Sequence, residues 1–388
     1  MQRVRTVSIV AGIAALAMLA ACTDQAPAPT SPSTSAARGA AAARLDGAVY
    51  TMTNASTANA VVAFRRAADG SLTSLGTIAT GGRGTGGAVD PLQSQYSVLL
   101  DDTHQTLFVV NAGSNDVSAF HVAGDGSLRR TALASSGGAM PVSLAQRGDL
   151  LYVLNAGDNS VSGLRTTPTG ELIQIPHSTH PLSAGAAGAS TIHFSADGSR
   201  LIVTERDANR IETLAVMPNG RLGAPVVTAS HGATPFGFDV TPRNQPIITE
   251  AAGAAPDGAV SSYSVAANGA LQAITGSLDA GGAATCWLRL TADGRLAFSV
   301  NSGSNAIALF SVGDDGTLTL ANAQAAATGA GTAPLDLDLA AGGRFMYVLE
   351  GGSGNIATFD VGGSGTLSAR GTIQAGAPSS GLQGLAAF

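Results

Sequence analysis

Three glutamates occupy equivalent places in this 388-residue chain: Glu205, Glu250 and Glu350. Each ends an apolar run and opens a polar turn, as in Val203-Thr204-Glu205-Arg206-Asp207. In other copies of the pattern Asn stands there, as in Val109-Val110-Asn111-Ala112-Gly113-Ser114-Asn115 and Ser299-Val300-Asn301-Ser302-Gly303-Ser304-Asn305. Asn bonds its own turn readily, and Glu is a poorer turn former. Equivalent positions should put the three carboxylates on one face. Two readings stay open: a shared acidic mouth that binds a polar ligand or acts as general base, or solvated glutamates on loops.

A second group comes from registering other apolar runs on the turns that follow them. His193, Asp239, Arg289 and Asp338 fall in one column, and Thr191, Trp287 and Asp336 in another. A His and an Arg beside carboxylates can activate water and stabilise an oxyanion or enolate. The same residues would also suit a structural network around channel water. Trp287, the one Trp of the chain, could stack on a sugar or lactone ring or wedge between blades six and seven.

Several chemistries are excluded or disfavoured. All 20 basic residues are Arg, so there is no Schiff-base or P-loop lysine. No His-Glu-x-x-His pair occurs, and Asp-rich turns such as Gly313-Asp314-Asp315-Gly316 lack the full calcium-loop pattern. No Gly-x-Ser-x-Gly elbow stands between a strand and a helix. No metal and no cofactor are expected. The formal charge of −6 argues against nucleic acid as a partner.

These residues must be positioned by a repeat. A small polar residue, Gly, one further residue and Leu recur seven times, from Asp69-Gly70-Ser71-Leu72 to Ser364-Gly365-Thr366-Leu367. The glycines are Gly70, Gly126, Gly170, Gly220, Gly269, Gly316 and Gly365. Such turns join antiparallel strands, and a strand-rich repeat of roughly 40–50 residues is the signature of a propeller blade. The expected fold is all-β: seven four-stranded antiparallel blades over residues 46–388. Val49-Tyr50-Thr51-Met52 reads as a second strand, and Gly381 to Phe388 as an innermost first strand. The C-terminal strand should therefore complete the N-terminal blade and close the ring.

Residues 1–21 read as a signal segment: Arg3 and Arg5, then an apolar run from Val7 to Leu19. It ends in Leu19-Ala20-Ala21-Cys22, which resembles a bacterial lipobox with Cys22 as the lipidated residue. Residues 22–45 read as a Pro/Ala/Ser tether. Export and an outer-membrane lipid anchor are the expectation, with Cys286 left as the lone thiol.

The hairpins built on Leu-Tyr-Val-x-Asn-x-Gly-x-Asn-x-Val, the Ala196-Asp197-Gly198-Ser199-Arg200-Leu201 turn, and Thr285-Cys286-Trp287 before Asp293-Gly294-Arg295 resemble the seven-bladed lactonase family. That family includes relatives of 6-phosphogluconolactonase and carboxymuconate-cyclising enzymes. The resemblance implies hydrolysis or isomerisation of a lactone or related sugar acid at a channel mouth. On that reading Glu205, the acidic member of the family pattern that this chain keeps, is the base, with His193 and Arg289 of the register column as electrostatic partners. Thr191, Asp239, Glu250, Trp287, Asp336, Asp338 and Glu350 would supply ligand contacts. Where enzymes of the family have an Arg-His pair leading into an inner strand, this chain has Ser190 and Thr191. That departure keeps a second reading open: a non-catalytic, monomeric propeller binding a protein, peptide or glycan.

Overall fold

A computed structural model describes residues 47–252 and 258–388. Arg3, Arg5, Cys22 and the tether lie outside the described residues. The described chain forms seven antiparallel sheets, each built on four strands in sequence order from the axis outward. Blade 4 is representative, with strands Ala189–Phe194, Arg200–Glu205, Arg210–Ala215 and Val226–Ala229. The inner strands touch their neighbours in a closed circle, which makes the assembly a ring. Blade 1 is the exception in chain order. Its inner strand is Gln383–Ala387, paired antiparallel to Gly47–Met52, with Tyr50 opposite Ala386. The two ends of the described chain thus close the ring as the sequence implied.

The repeated turns explain the hairpins. All seven turn glycines have φ between +80° and +96°, a region that costs an L side chain but not Gly. Where the residue before Gly is Asp or Asn, it accepts an N–H from two residues on, as Asp69 does from Ser71 at 3.0 Å and Asn219 from Arg221 at 2.9 Å. The same glycines set the register between blades. Tyr50 of blade 1 donates its hydroxyl to the Gly126 carbonyl of blade 2, Tyr152 of blade 3 to Gly220 of blade 4, and Tyr347 of blade 7 to Gly70 of blade 1, each at 2.8 Å.

Second and third strands carry the apolar load. Leu151–Leu154, Phe345–Leu349 and their equivalents are buried between neighbouring sheets, and the outer strands alternate with exposed residues. Aromatic rings are few, so Val, Leu and Ile side chains fill most of the space between blades. Polar side chains of inner and second strands bond backbone groups of the neighbouring blade's inner strand. Ser143 accepts from Ile192 N–H, Thr204 donates to the Phe236 carbonyl, and Thr249 donates to the Cys286 carbonyl.

Candidate functional site

The axis is not an open channel. The segment before the inner strand Val98–Leu100 of blade 2 bulges into it. Ser94 donates its hydroxyl to the Val142 carbonyl of blade 3 and accepts the Trp287 indole N–H of blade 6. Gln95 takes the Ser143 hydroxyl on its carbonyl, donates its backbone N–H to Thr191 of blade 4, and donates its side-chain amide to the Leu288 carbonyl of blade 6. Tyr96 donates its hydroxyl to the Phe238 carbonyl of blade 5 at 2.8 Å. One tripeptide reaches inner strands of four blades, which only a chain lying across the axis can do. It divides the axis into two poles.

Beyond Tyr96, toward the C-terminal ends of the inner strands, lies a cavity of about 210 Å³. Its lining includes Tyr96, Asp101, Asp102, His104, Gln146, His193, Arg289 and Asp338. Alternation along the strand turns His193 and Arg289 inward two residues after the buried Thr191 and Trp287. Arg289 donates from Nε and Nη2 to Asp338 at 2.9 and 2.5 Å, and from Nη1 to the Tyr96 hydroxyl at 3.2 Å. Its guanidinium lies 5.2 Å from the centroid of the Tyr96 ring, and Asp239 is 3.9 Å away. Burial works against the Arg289 charge. Asp338, then Tyr96 and Asp239, outweigh it and hold the pKa well above the usual value.

His193 lies against the same tyrosine, with ring centroids 5.3 Å apart. Its Nδ1 lies 2.7 Å from the Phe194 carbonyl. A carbonyl only accepts, so Nδ1 carries the proton and Nε2 is the basic nitrogen. Burial lowers the His193 pKa, with Asp239 opposing. The imidazole is therefore neutral near pH 7.

The carboxylates of this pole also tie the ring together. Asp239 accepts Leu290 N–H of the next blade at 3.1 Å, Asp336 accepts Leu385 N–H at 3.2 Å, and Asp338 accepts Ala387 N–H at 2.8 Å. Asp336 is buried behind the cavity. Burial is the largest influence on its carboxyl, which is pushed up to about 8 despite Arg289.

Several expected site residues lie elsewhere. Glu205, Glu250 and Glu350 share one face, but none of the three is solvated or forms an open acidic mouth. All are buried, and each is tied within its own blade. Glu205 accepts Ala187 N–H and pairs with Arg210 at 3.1 Å, beside the buried Glu212. Glu250 accepts Gly232 N–H and the hydroxyls of Ser261 and Ser277. Glu350 accepts the Ser353 hydroxyl. A Glu reaches further than the Asn it replaces: Glu205 and Glu250 take an N–H from the segment leading into their own inner strand, and Glu350 bonds Ser353 of its own turn. Thr191, Trp287 and Asp336 are also closed off: Thr191 is fully buried, Trp287 is 1 % exposed and Asp336 2 %. The Trp287 ring packs edge-on against Phe236 of blade 5 at 5.1 Å, a packing contact on the side of blade 5.

The family model for "Lactonase, 7-bladed beta-propeller" matches residues 93–286 and 277–380. The chain belongs to this lactonase propeller family. Similar solved structures include a putative 6-phosphogluconolactonase from Bacteroides uniformis (TM-score 0.69, 19 % identity, covering 87 % of this chain and 98 % of that one). A periplasmic gluconolactonase from Pseudomonas aeruginosa has a TM-score of 0.64 and 22 % identity, covering 86 % and 98 %. No curated protein matches the sequence.

Within this lactonase propeller the residues not anticipated from sequence are Ser94, Gln95 and Tyr96, together with the rim residues Asp101, Asp102 and His104. A signal was present. Gly70 and Gly126 are the most widely spaced neighbours among the turn glycines, and the surplus residues form the plug.

Proposed function

We propose that this propeller hydrolyses a small lactone in the cavity floored by Tyr96. The observation that carries the reading is the placement of a neutral imidazole and a guanidinium beside one tyrosine ring, at 5.3 and 5.2 Å from its centroid. Nε2 of His193 accepts a proton from water as the water oxygen attacks the lactone carbonyl carbon. Arg289 has five N–H groups. Asp338 and Tyr96 take three, which leaves two to meet the oxyanion. The tetrahedral intermediate collapses with cleavage of the ring C–O bond. The imidazolium returns its proton to the departing alkoxide, and the product is an open hydroxy acid. Family membership supports the reaction class, as does the fold shared with a gluconolactonase. The volume, below the roughly 300–1,000 Å³ of drug-sized ligand sites, suits a single small ring.

The test is turnover of a lactone panel by wild type, His193→Gln and Glu205→Gln. Loss in the first variant and retention in the second is expected. No turnover above background by wild type would favour the binding-module reading, which Ser190 and Thr191 motivate. The same proposal includes export and a lipid anchor at Cys22, checked by fatty-acid labelling that Cys22→Ala abolishes.

A further inference from the structure

On the reading that lactones are hydrolysed beside His193 and Arg289, we infer that this cavity selects uncharged lactones and turns away phosphorylated or carboxylated ones. Three carboxylates line it, those of Asp101, Asp102 and Asp338, and a fourth, Asp239, lies 3.9 Å from the guanidinium. Arg289 is the one arginine of the lining. Its charge is already opposed by Asp338 at 2.5 Å and by Asp239. His193 brings no charge near neutrality.

The rim is acidic on its own account. Asp101 accepts Gln105 N–H at 2.8 Å, Thr106 N–H at 3.1 Å and the Thr103 hydroxyl at 3.0 Å, with no cation among these partners. Asp102 is exposed beside it. A second imidazole, His104, stacks on Phe388 with centroids 4.9 Å apart.

Recognition of phosphate or carboxylate draws on clustered cations and forked Arg contacts. This mouth offers the opposite. An anionic group at the far end of a substrate would be placed among carboxylates in a partly enclosed space, where charge is poorly screened. The two N–H groups left on Arg289 suffice for a carbonyl oxygen or a hydroxyl, not for a phosphate dianion as well. The acidic walls instead supply acceptors for substrate hydroxyls. The substrate class is therefore an uncharged, hydroxylated lactone.

The experiment compares kcat/KM for an uncharged aldonolactone and its phosphorylated counterpart at low and high salt. Wild type, His193→Gln and the double variant Asp101→Asn/Asp102→Asn are assayed. Equilibrium binding of the matching non-hydrolysable lactams runs alongside. The expected result is a preference of about tenfold or more for the uncharged lactone at low salt. The preference shrinks as salt rises and shrinks again in the double variant, through a rise in kcat/KM for the phosphorylated lactone. Equal or faster turnover of the phosphorylated lactone, still lost in His193→Gln, overturns the selectivity while the site stands. A preference unmoved by salt and by the double variant overturns its electrostatic cause. Failure to turn over either lactone or bind either lactam overturns the site and the selectivity with it.

Discussion

Glu205 and His193 lie on the same hairpin and at opposite ends of it. Glu205 pairs with Ala189 at the start of the inner strand, and His193 pairs with Ile202 near its finish. Four residues at roughly 3.3 Å each separate the two levels by about 13 Å. Gln95 meets Thr191 between them. The glutamate and the imidazole cannot act on one substrate atom, and the fold makes them separate features.

Glu205 is then a structural acid with a pH signature. Burial is the largest cause of its raised pKa, about 7, followed by the neighbouring Glu212, with Arg210 opposing. A carboxyl raised above its unfolded value contributes stability that is complete below about pH 4.5 and lost as pH rises through about 7. Glu205→Gln should remove that slope. In urea titrations the variant gains on wild type between pH 5 and pH 8. A difference that stays constant over this range contradicts the assignment.

His193 gives the acid limb of activity. Its pKa is lowered by burial from 6.5, so kcat/KM should fall only below that value as the base takes up a proton. The same depression makes its stability contribution present above 6.5 and lost as pH falls through the lowered pKa. His193→Gln should lower kcat/KM by about 10²–10⁴-fold. A pH–rate profile with its acid limb above pH 7 is inconsistent with this base.

Arg289 and Asp338 form a pair little exposed to solvent. Asp338→Ala leaves the guanidinium only the more distant Asp239 as a carboxylate partner and also frees Ala387 N–H of the closing strand. Breaking such a pair costs about 3–5 kcal/mol. Adding Arg289→Met should recover part of the loss, because the poorly paired charge is gone. Chemical unfolding of both variants checks this, and a double variant no more stable than Asp338→Ala argues against the pair.

The seven blades and their closure were legible because turn chemistry repeats. Each blade needs a Gly at positive φ, and the residue beside it has few alternatives. The column of His193, Asp239, Arg289 and Asp338 was legible because side chains alternate along strands, and the structure does gather these four. The plug showed only as surplus length between Gly70 and Gly126; its contacts did not, since Ser94, Gln95 and Tyr96 carry no period and their partners lie up to 193 residues away. The burial of Glu205, Glu250 and Glu350 was hidden for a related reason. A position in a hairpin fixes the face a residue shares, but the side chain's length decides whether it reaches outward or folds back into its own blade.

Ring closure makes its own demand. Removing residues 381–388 strips the inner strand from blade 1, with the Asp336 and Asp338 contacts to Leu385 and Ala387. The unfolding free energy should fall by more than about 4 kcal/mol, a loss reserved for gross packing defects. Thermal unfolding identical to that of the full chain would contradict the closure.

The site itself is tested most directly by crystals soaked with a non-hydrolysable lactam analogue of an uncharged lactone. Density for its ring is predicted beyond Tyr96, with the carbonyl oxygen at the Arg289 guanidinium and the carbonyl carbon facing His193 Nε2. Density at the opposite pole, on the Glu205 side of Gln95, would contradict it.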